Sequence, residues 1–238
     1  VKEFAAKSKR PSDAAGVKLT PLNRTLGEDG SLTYSTVEVT VDRNARRATI
    51  TVKGPDAEAP ADMEAFHAQG AEAWMLRAAR ELDDAILHLR LNERELGLLV
   101  FHTQGDPEAV LAHEALLRDN ADHWLANEVL LYWKRVLKRI DMTSRSLVAL
   151  VEHGSCYAGV LAEILFAVDR SYMMEDEFEG DNRPLATVTL SEGNFGSWPM
   201  ANDLTRLETR FWGDPGQVEK LKGQLGEALE AEDAVELG

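Results

Sequence analysis

The sequence predicts an α/β fold, on three observations. A segment near the start alternates apolar and polar residues as a strand hairpin does, at 33–53. Two short apolar runs, at 96–102 and 146–151, are typical of strands that are buried on both faces. Helical periodicity lies between and after these runs. Because strands and helices alternate after residue 95, we expect crossover connections and a largely parallel sheet.

The first half of the chain begins with the hairpin. Residues 33–42 place Val37, Val39 and Val41 on one face, which is the period of a half-buried strand. A turn at 43–46 leads into the second strand, at 48–53. A helix is predicted at 62–91, because its second half repeats apolar residues at three- and four-residue steps, namely Ala78, Leu82, Ala85, Ile86 and Leu89. The strand at 96–102 follows.

The second half continues the alternation. Helices are predicted at 105–117, 122–140 and 162–167, strands at 146–151, 169–174 and 186–190, and a glycine-bearing turn at 154–159. An acidic segment without periodicity occupies 175–183, and three helices at 200–212, 217–225 and 231–238 close the chain. Residues 1–32 show little periodicity, which predicts a linker or the tail of a preceding domain. Since both ends look internal, we expect a piece of a longer cytoplasmic protein.

Composition excludes several classes of function. The 26 basic and 41 acidic residues give a net charge of -15, which disfavours nucleic acid and anionic membrane surfaces as partners. The single cysteine, Cys156, excludes an internal disulfide and a cysteine-built zinc site, and we expect it to be a buried, inert thiol. His113 and His123 lack a carboxylate at ligand spacing, so no metal is predicted.

Two segments carry most of the chemical content. At 146–169 a buried strand enters a glycine turn and a helix leaves it, so free backbone N–H groups could hold a thioester oxygen. Glu163 on that helix has apolar neighbours, which would raise its pKa toward that of a general acid or base. Alternatively, Gly159 permits close packing and Glu163 pairs with a basic group. In the second segment, at 189–200, Glu192 follows a strand in a glycine- and aromatic-rich loop, either as a site residue or as a bracing carboxylate.

Together the two segments resemble the crotonase (enoyl-CoA hydratase/isomerase) superfamily. Glu163 and Asp169 have the six-residue spacing of the family's helix, and Glu192, Gly196 and Pro199 have the spacing of its later loop. Residues 205–207 and 231–238 also resemble family helices. The resemblance implies a crotonase-like spiral of β-β-α units with a C-terminal helical region, over residues 33–238 and apparently truncated at the C-terminus.

The resemblance also implies a site. Glu163 and Glu192 hold the two matching catalytic positions, where paired glutamates activate water and shuttle protons. The backbone N–H groups of Gly159 and Val160 match an oxyanion hole for a thioester carbonyl. In an active domain the two carboxylates would face one cavity and share a water. Coenzyme A would be part of the substrate, and no separate cofactor is expected.

A closer resemblance is to the second half of ring-opening CoA-thioester lyases of this family, carried by residues 79–87, 144–147, 154–156 and 190–196. These proteins look like two crotonase-like halves in tandem. The resemblance implies that the intact enzyme opens 2,3-epoxybenzoyl-CoA with water and releases formate. It further implies a missing N-terminal half as a partner and a homodimer or higher oligomer.

The sequence departs from the family pattern in two places. The turn reads Ala158-Gly159-Val160 instead of a glycine run, and residues 103–107 pass straight into a helix where the family has a loop that carries the other oxyanion donor. One alternative is therefore a non-catalytic structural or oligomerisation half, with the active site in the missing half. A generic enoyl-CoA hydratase or isomerase is the other alternative.

Overall fold

A computed structural model describes residues 1–8, 10–175 and 183–238, so most of the acidic segment at 175–183 lies outside the described residues. Its main sheet has seven strands in the order β1-β2-β3-β4-β5-β6-β8. These are β1 Thr25–Leu26, β2 Leu32–Thr33, β3 Val37–Asp42, β4 Arg47–Lys53, β5 Leu98–Gln104, β6 Ser146–Val151 and β8 Arg170–Met173. Pairing is antiparallel from β1 to β4 and parallel from β4 to β8. The predicted α/β class is confirmed.

The hairpin of β3 and β4 confirms the alternation seen in the sequence. Val37 pairs with Val52 and Val39 with Ile50, and all four side chains are fully buried. Burial of such side chains stabilises the fold by about 1.5–3 kcal/mol each. The polar residues between them face outward, so the hairpin has one face in the core.

The predicted helix at 62–91 is two helices, α2 Met63–Gln69 and α3 Trp74–Asn92. Gly70 ends α2 with a φ of 57°, a left-handed conformation that glycine adopts without a steric penalty. A single 3-10 turn, Gly70–Glu72, connects them. The apolar stripe predicted for the second half lies in α3 and is buried.

Two further helices connect β5 to β6, α4 Pro107–Asp119 and α5 Trp124–Asp141. Asp106 caps α4 by accepting the Glu108 backbone N–H at 2.9 Å, and Pro107 occupies its first turn. The buried face of α5 packs on α3, where the Trp133 Nε1–H donates to the Met75 carbonyl at 2.7 Å. Both helices lie where the sequence predicts them.

A smaller, three-stranded sheet carries the C-terminal region. It joins β7 Tyr157–Ala158, β9 Val188–Thr189 and β10 Ala228–Leu229, with β7 and β9 parallel. Four helices belong to this region: α6 Ala162–Ala167, α7 Arg206–Arg210, α8 Pro215–Lys222 and α9 Ala231–Glu236. The predicted helix at 200–212 is shorter, because the Thr205 hydroxyl caps α7 by accepting the Glu208 N–H at 3.1 Å. A small apolar core of Leu190, Leu207, Leu221 and Leu229 fills this region.

Residues before 33 contribute to the main sheet. After the short helix α1 Lys2–Ala6, strands β1 and β2 extend its antiparallel edge, and Leu32 is fully buried. The assignment of 1–32 to a linker or tail and of 33–238 to one crotonase-like domain stays a prediction. Within the described ranges, every helix is too short or too polar to cross a bilayer.

Candidate functional site

The candidate site lies where three segments meet beside the small sheet. Because β7 and β9 run parallel, the turns that follow them, Gly159–Leu161 and Glu192–Phe195, lie side by side. Helix α4 packs across the first turn. This arrangement brings the predicted site residues into one region, and it adds a side chain that the sequence analysis did not single out.

Glu163 is buried, and each oxygen of its carboxylate accepts a hydrogen bond. Its Oε1 accepts the Asn194 side-chain amide at 2.8 Å, and its Oε2 accepts the Arg206 guanidinium at 2.6 Å. Arg206 also binds the Asp141 carboxylate at 2.9 and 2.7 Å. Burial raises the pKa of Glu163, while Arg206 and Asn194 act in the opposite direction. The predicted pairing of Glu163 with a basic group is confirmed, and its role as a general acid or base stays a prediction.

Glu192 lies in different surroundings. Its side chain is 74% exposed and forms an ion pair with Arg118 of α4. The turn around it is held by Ser191 and Asn194, since the Ser191 N–H donates to Asn194 Oδ1 at 2.9 Å. The expectation that Glu163 and Glu192 face one cavity is therefore wrong: one carboxylate is buried against Arg206 and the other reaches solvent.

One of the two predicted oxyanion donors, the Val160 N–H, is occupied by a side chain of the same molecule, and the role of the Gly159 N–H stays a prediction. The Val160 N–H donates to Glu114 Oε2 at 2.5 Å, and the Ser191 hydroxyl donates to Glu114 Oε1 at 2.5 Å. The neighbouring Gly159 carbonyl accepts the Asn194 side-chain amide at 2.9 Å. The carboxyl group of Glu114 thus lies at the position where the resemblance expects a thioester oxygen.

Glu114 is the residue that the sequence analysis missed. It is 1% exposed, and burial raises its pKa to about 7, against the hydrogen bonds from Ser191 and Val160 and the charge of Arg118. A signal was present in the sequence. The buried face of α4 carries Val110, Glu114 and Leu117 at helical spacing. An acidic side chain therefore interrupts an otherwise apolar stripe.

Two glycines make room for this carboxyl group. Gly159 has a φ of +47°, and a Cβ on it would overlap Glu114 Oε2. A Cβ on Gly193 would lie 2.6 Å from Glu114 Oε1, well inside van der Waals contact. The expectation that Gly159 permits close packing is confirmed, and the group that packs against it is Glu114.

Other candidates lie apart from this region. Cys156 is fully buried, as predicted, and burial raises the pKa of its thiol to about 11. That the thiol is inert stays a prediction. A cavity of about 120 Å³ lies between α6, α7 and α9 and is lined mainly by apolar side chains such as Phe166, Leu207 and Leu237. None of the three glutamates of the candidate site lines that cavity.

Comparison with solved structures identifies the fold. The chain aligns with an enoyl-CoA hydratase from Geobacillus kaustophilus over 87% of its own length and 67% of that chain, at a TM-score of 0.54 and 16% identity. It aligns with Pseudomonas aeruginosa DspI over 93% of its length and 74% of that chain, at a TM-score of 0.51 and 17% identity. The fold is the crotonase fold of the enoyl-CoA hydratases, as the sequence predicts. No family model matches the chain.

Comparison with curated proteins finds a closer relative. The chain is 44% identical, over 237 residues, to benzoyl-CoA-dihydrodiol lyase from Aromatoleum evansii. The match covers all of this chain and 42% of the relative, so the chain spans about two fifths of the length of the curated protein that it resembles. This confirms the closer resemblance to such a lyase, and the assignment to its second half stays a prediction.

Proposed function

We propose that this chain is a crotonase-fold domain of a CoA-thioester lyase of the benzoyl-CoA-dihydrodiol lyase type, and that it supports the enzyme without performing the chemistry. The similarity to the Aromatoleum evansii lyase supports the class of enzyme. The supporting role rests on one observation, the occupation of the Val160 N–H by the carboxyl group of Glu114.

An oxyanion hole acts through donors that are free to bind the developing charge. One lost donor costs about 2.7–4 kcal/mol of transition-state stabilisation in acyl transfer. Here Glu114 takes the Val160 donor. The second donor would come from a loop after β5, but β5 ends at Gln104 and α4 begins at Pro107. Two intervening residues leave no space for such a loop.

The glutamate pair is also poorly placed for proton transfer. Protonation of Glu163 would leave the buried guanidinium of Arg206 with Asp141 as its remaining ionic partner. Glu192 is exposed and pairs with Arg118, whereas Glu163 is buried. An acid/base pair needs both groups within reach of the same proton or water.

The reaction itself belongs, in this proposal, to the longer enzyme. That enzyme would open 2,3-epoxybenzoyl-CoA with water and release formate, with coenzyme A arriving as part of the substrate and no separate cofactor. The missing N-terminal crotonase-like half would hold the active site, and this domain would pack against it and contribute to a homodimer or higher oligomer. A cytoplasmic location stays a prediction.

One observation favours a second candidate, in which this domain is itself catalytic through Glu163 and Glu192. Burial raises the pKa of Glu163, as a general acid requires. In that case Arg206 would have to release Glu163 when substrate binds. A generic enoyl-CoA hydratase or isomerase is less favoured, because the short β5–α4 connection removes an oxyanion donor that such an enzyme needs.

Kinetics of the longer enzyme separate these candidates. We expect Glu192→Gln to leave kcat/KM within about twofold, since an exposed side chain outside the chemistry changes little. Glu95→Gln, whose exposed side chain pairs with Arg46 before β5, is the matched control. A loss of about a hundredfold or more that is confined to Glu192→Gln is the size expected for a general acid or base, and it would contradict the supporting role.

A further inference from the structure

We propose that the Val160 N–H and the Ser191 hydroxyl form a binding site for a small carboxylate, which Glu114 fills as a built-in ligand. The inference deepens the proposed function, because it gives the reason why this domain would not accept a thioester. It concerns what the chain binds, whereas the proposed function concerns what the enzyme catalyses.

The geometry is that of a bound carboxylate. Each oxygen of Glu114 receives one donor, and the donors come from two different segments, the turn before α6 and the loop after β9. Both hydrogen bonds are buried. Donors that converge on two oxygens of one group are the arrangement by which proteins recognise carboxylates.

The walls of the site fit the group closely. Gly159 and Gly193 face the two oxygens of Glu114, and a methyl group at either position would intrude on them. Helix α4 fixes the carboxyl group from the other side, because Val110 and Leu117 anchor the same face of the helix in the core. The chain therefore holds both the site and its occupant rigidly.

The charges around the site come from four elements. Arg118, on α4 itself, has its Nη1 3.8 Å from Glu114 Oε1 and is shared with Glu192 of the neighbouring turn. Glu163 of α6 adds negative charge, and Arg206 of α7 largely neutralises it. Arg118 is thus the nearest cation to the site, and it is shared between Glu114 and Glu192. Its positive charge therefore favours a single anionic group at this site.

Chemical rescue tests the proposal on this chain. Glu114→Ala removes one methylene and the carboxyl group, which together have the heavy atoms of acetate. We expect acetate, titrated by calorimetry, to bind Glu114→Ala at least about tenfold tighter than the unchanged chain. Glu108→Ala, at an exposed position of the same helix, is the control variant, and sodium chloride at equal ionic strength is the control salt. Equal acetate affinity in a folded Glu114→Ala variant would overturn the proposal.

If Glu114→Ala does not fold, a second measurement tests the carboxylate site. The amide signal of Val160, followed by NMR in the unchanged chain, should titrate with a midpoint near the pKa of Glu114, about 7. In Glu114→Gln, which keeps the shape of the side chain, this titration should vanish. A Val160 amide signal with the same pH dependence in the unchanged chain and in Glu114→Gln, at every pH at which both are folded, would overturn the proposal.

The two proposals fail in different experiments. If acetate does not rescue Glu114→Ala, the carboxylate site is refuted, whatever the longer enzyme does. If Glu192→Gln abolishes the activity of the longer enzyme, the supporting role is refuted, whatever acetate does.

Discussion

Glu114 combines a desolvated carboxyl group with two short hydrogen bonds. Burial of the group disfavours its charged form, and the donors from Val160 and Ser191 offset only part of that penalty, so its pKa is raised to about 7. A group of this kind makes the stability of the protein depend on pH near neutrality, where ordinary glutamates no longer titrate.

The free energy of unfolding should therefore fall as the pH rises from 4.5 to about 7. The unfolded chain releases the proton of Glu114 near pH 4.5, whereas the folded chain keeps it until about pH 7, so deprotonation favours unfolding within this window. The shift corresponds to about 3 kcal/mol. Urea unfolding at both ends of the window should show this loss in the unchanged chain and a smaller loss in Glu114→Gln. Glu163, whose pKa is also raised, contributes in the same direction in both proteins. If the free energy of unfolding has the same pH dependence in the unchanged chain and in Glu114→Gln, Glu114 is not the group responsible.

Gly159→Ala should destabilise the chain more than Gly154→Ala. Both glycines have positive φ, so both variants pay backbone strain of about 1–2 kcal/mol. Only the Gly159 variant also meets Glu114, which adds about 1–3 kcal/mol of overpacking. Denaturant unfolding measures both values. The double variant with Glu114→Ala should lose this added penalty, and an undiminished penalty there would show that Glu114 is not the obstacle.

Among the elements, one side chain of α7 joins that helix to two others, α5 and α6. Arg206 of α7 binds Asp141 at the end of α5 and Glu163 of α6, and it also donates to the Trp198 carbonyl at 3.0 Å. Its side chain is only 1% exposed. This ionic cluster positions α7, a helix of five residues that is too short to be stable alone.

Arg206→Met should destabilise the chain by about 3–5 kcal/mol, because it leaves two buried carboxylates without their partner. Arg210→Met, on the exposed side of the same helix, is the matched control and should change stability by less than about 1 kcal/mol. Denaturant unfolding measures both variants. Similar values for the two would mean that the ionic cluster does not anchor α7.

Local patterns predicted most elements well. The alternating valines of β3, the apolar runs of β5 and β6, and the stripes of α3 and α5 depend on neighbours within a few residues. The strand β10 was not predicted, since its two residues form a strand only by pairing with β9, about 40 residues earlier in the chain. The break at Gly70 depends on a backbone angle that sequence periodicity does not record.

The site was harder to predict than the elements, for the same reason. The motif residues Glu163 and Glu192 lie on the predicted helix and loop, but their partners Arg206 and Arg118 come from distant positions. Glu114 contacts a residue 46 positions later and another 77 positions later. Contacts over such separations leave no local pattern, so the sequence alone could not show that the Val160 amide is occupied.

In the whole molecule, the crotonase fold is present, and the Val160 N–H within it is occupied by Glu114. The main sheet and helices α3 and α5 hold one continuous core, and the small sheet with α6 to α9 forms the C-terminal part. The combination of this fold with an occupied Val160 N–H suits the supporting role proposed for the chain in a longer lyase.

The most direct test of this role is isothermal titration of the 238-residue chain with benzoyl-CoA, with circular dichroism to verify that the sample is folded. The longer enzyme, titrated under the same conditions, is the positive control. We expect no measurable binding to the chain, because Glu114 already occupies the position that a thioester oxygen would take. Micromolar binding to the folded chain would contradict this role, since the domain would then possess a working thioester pocket.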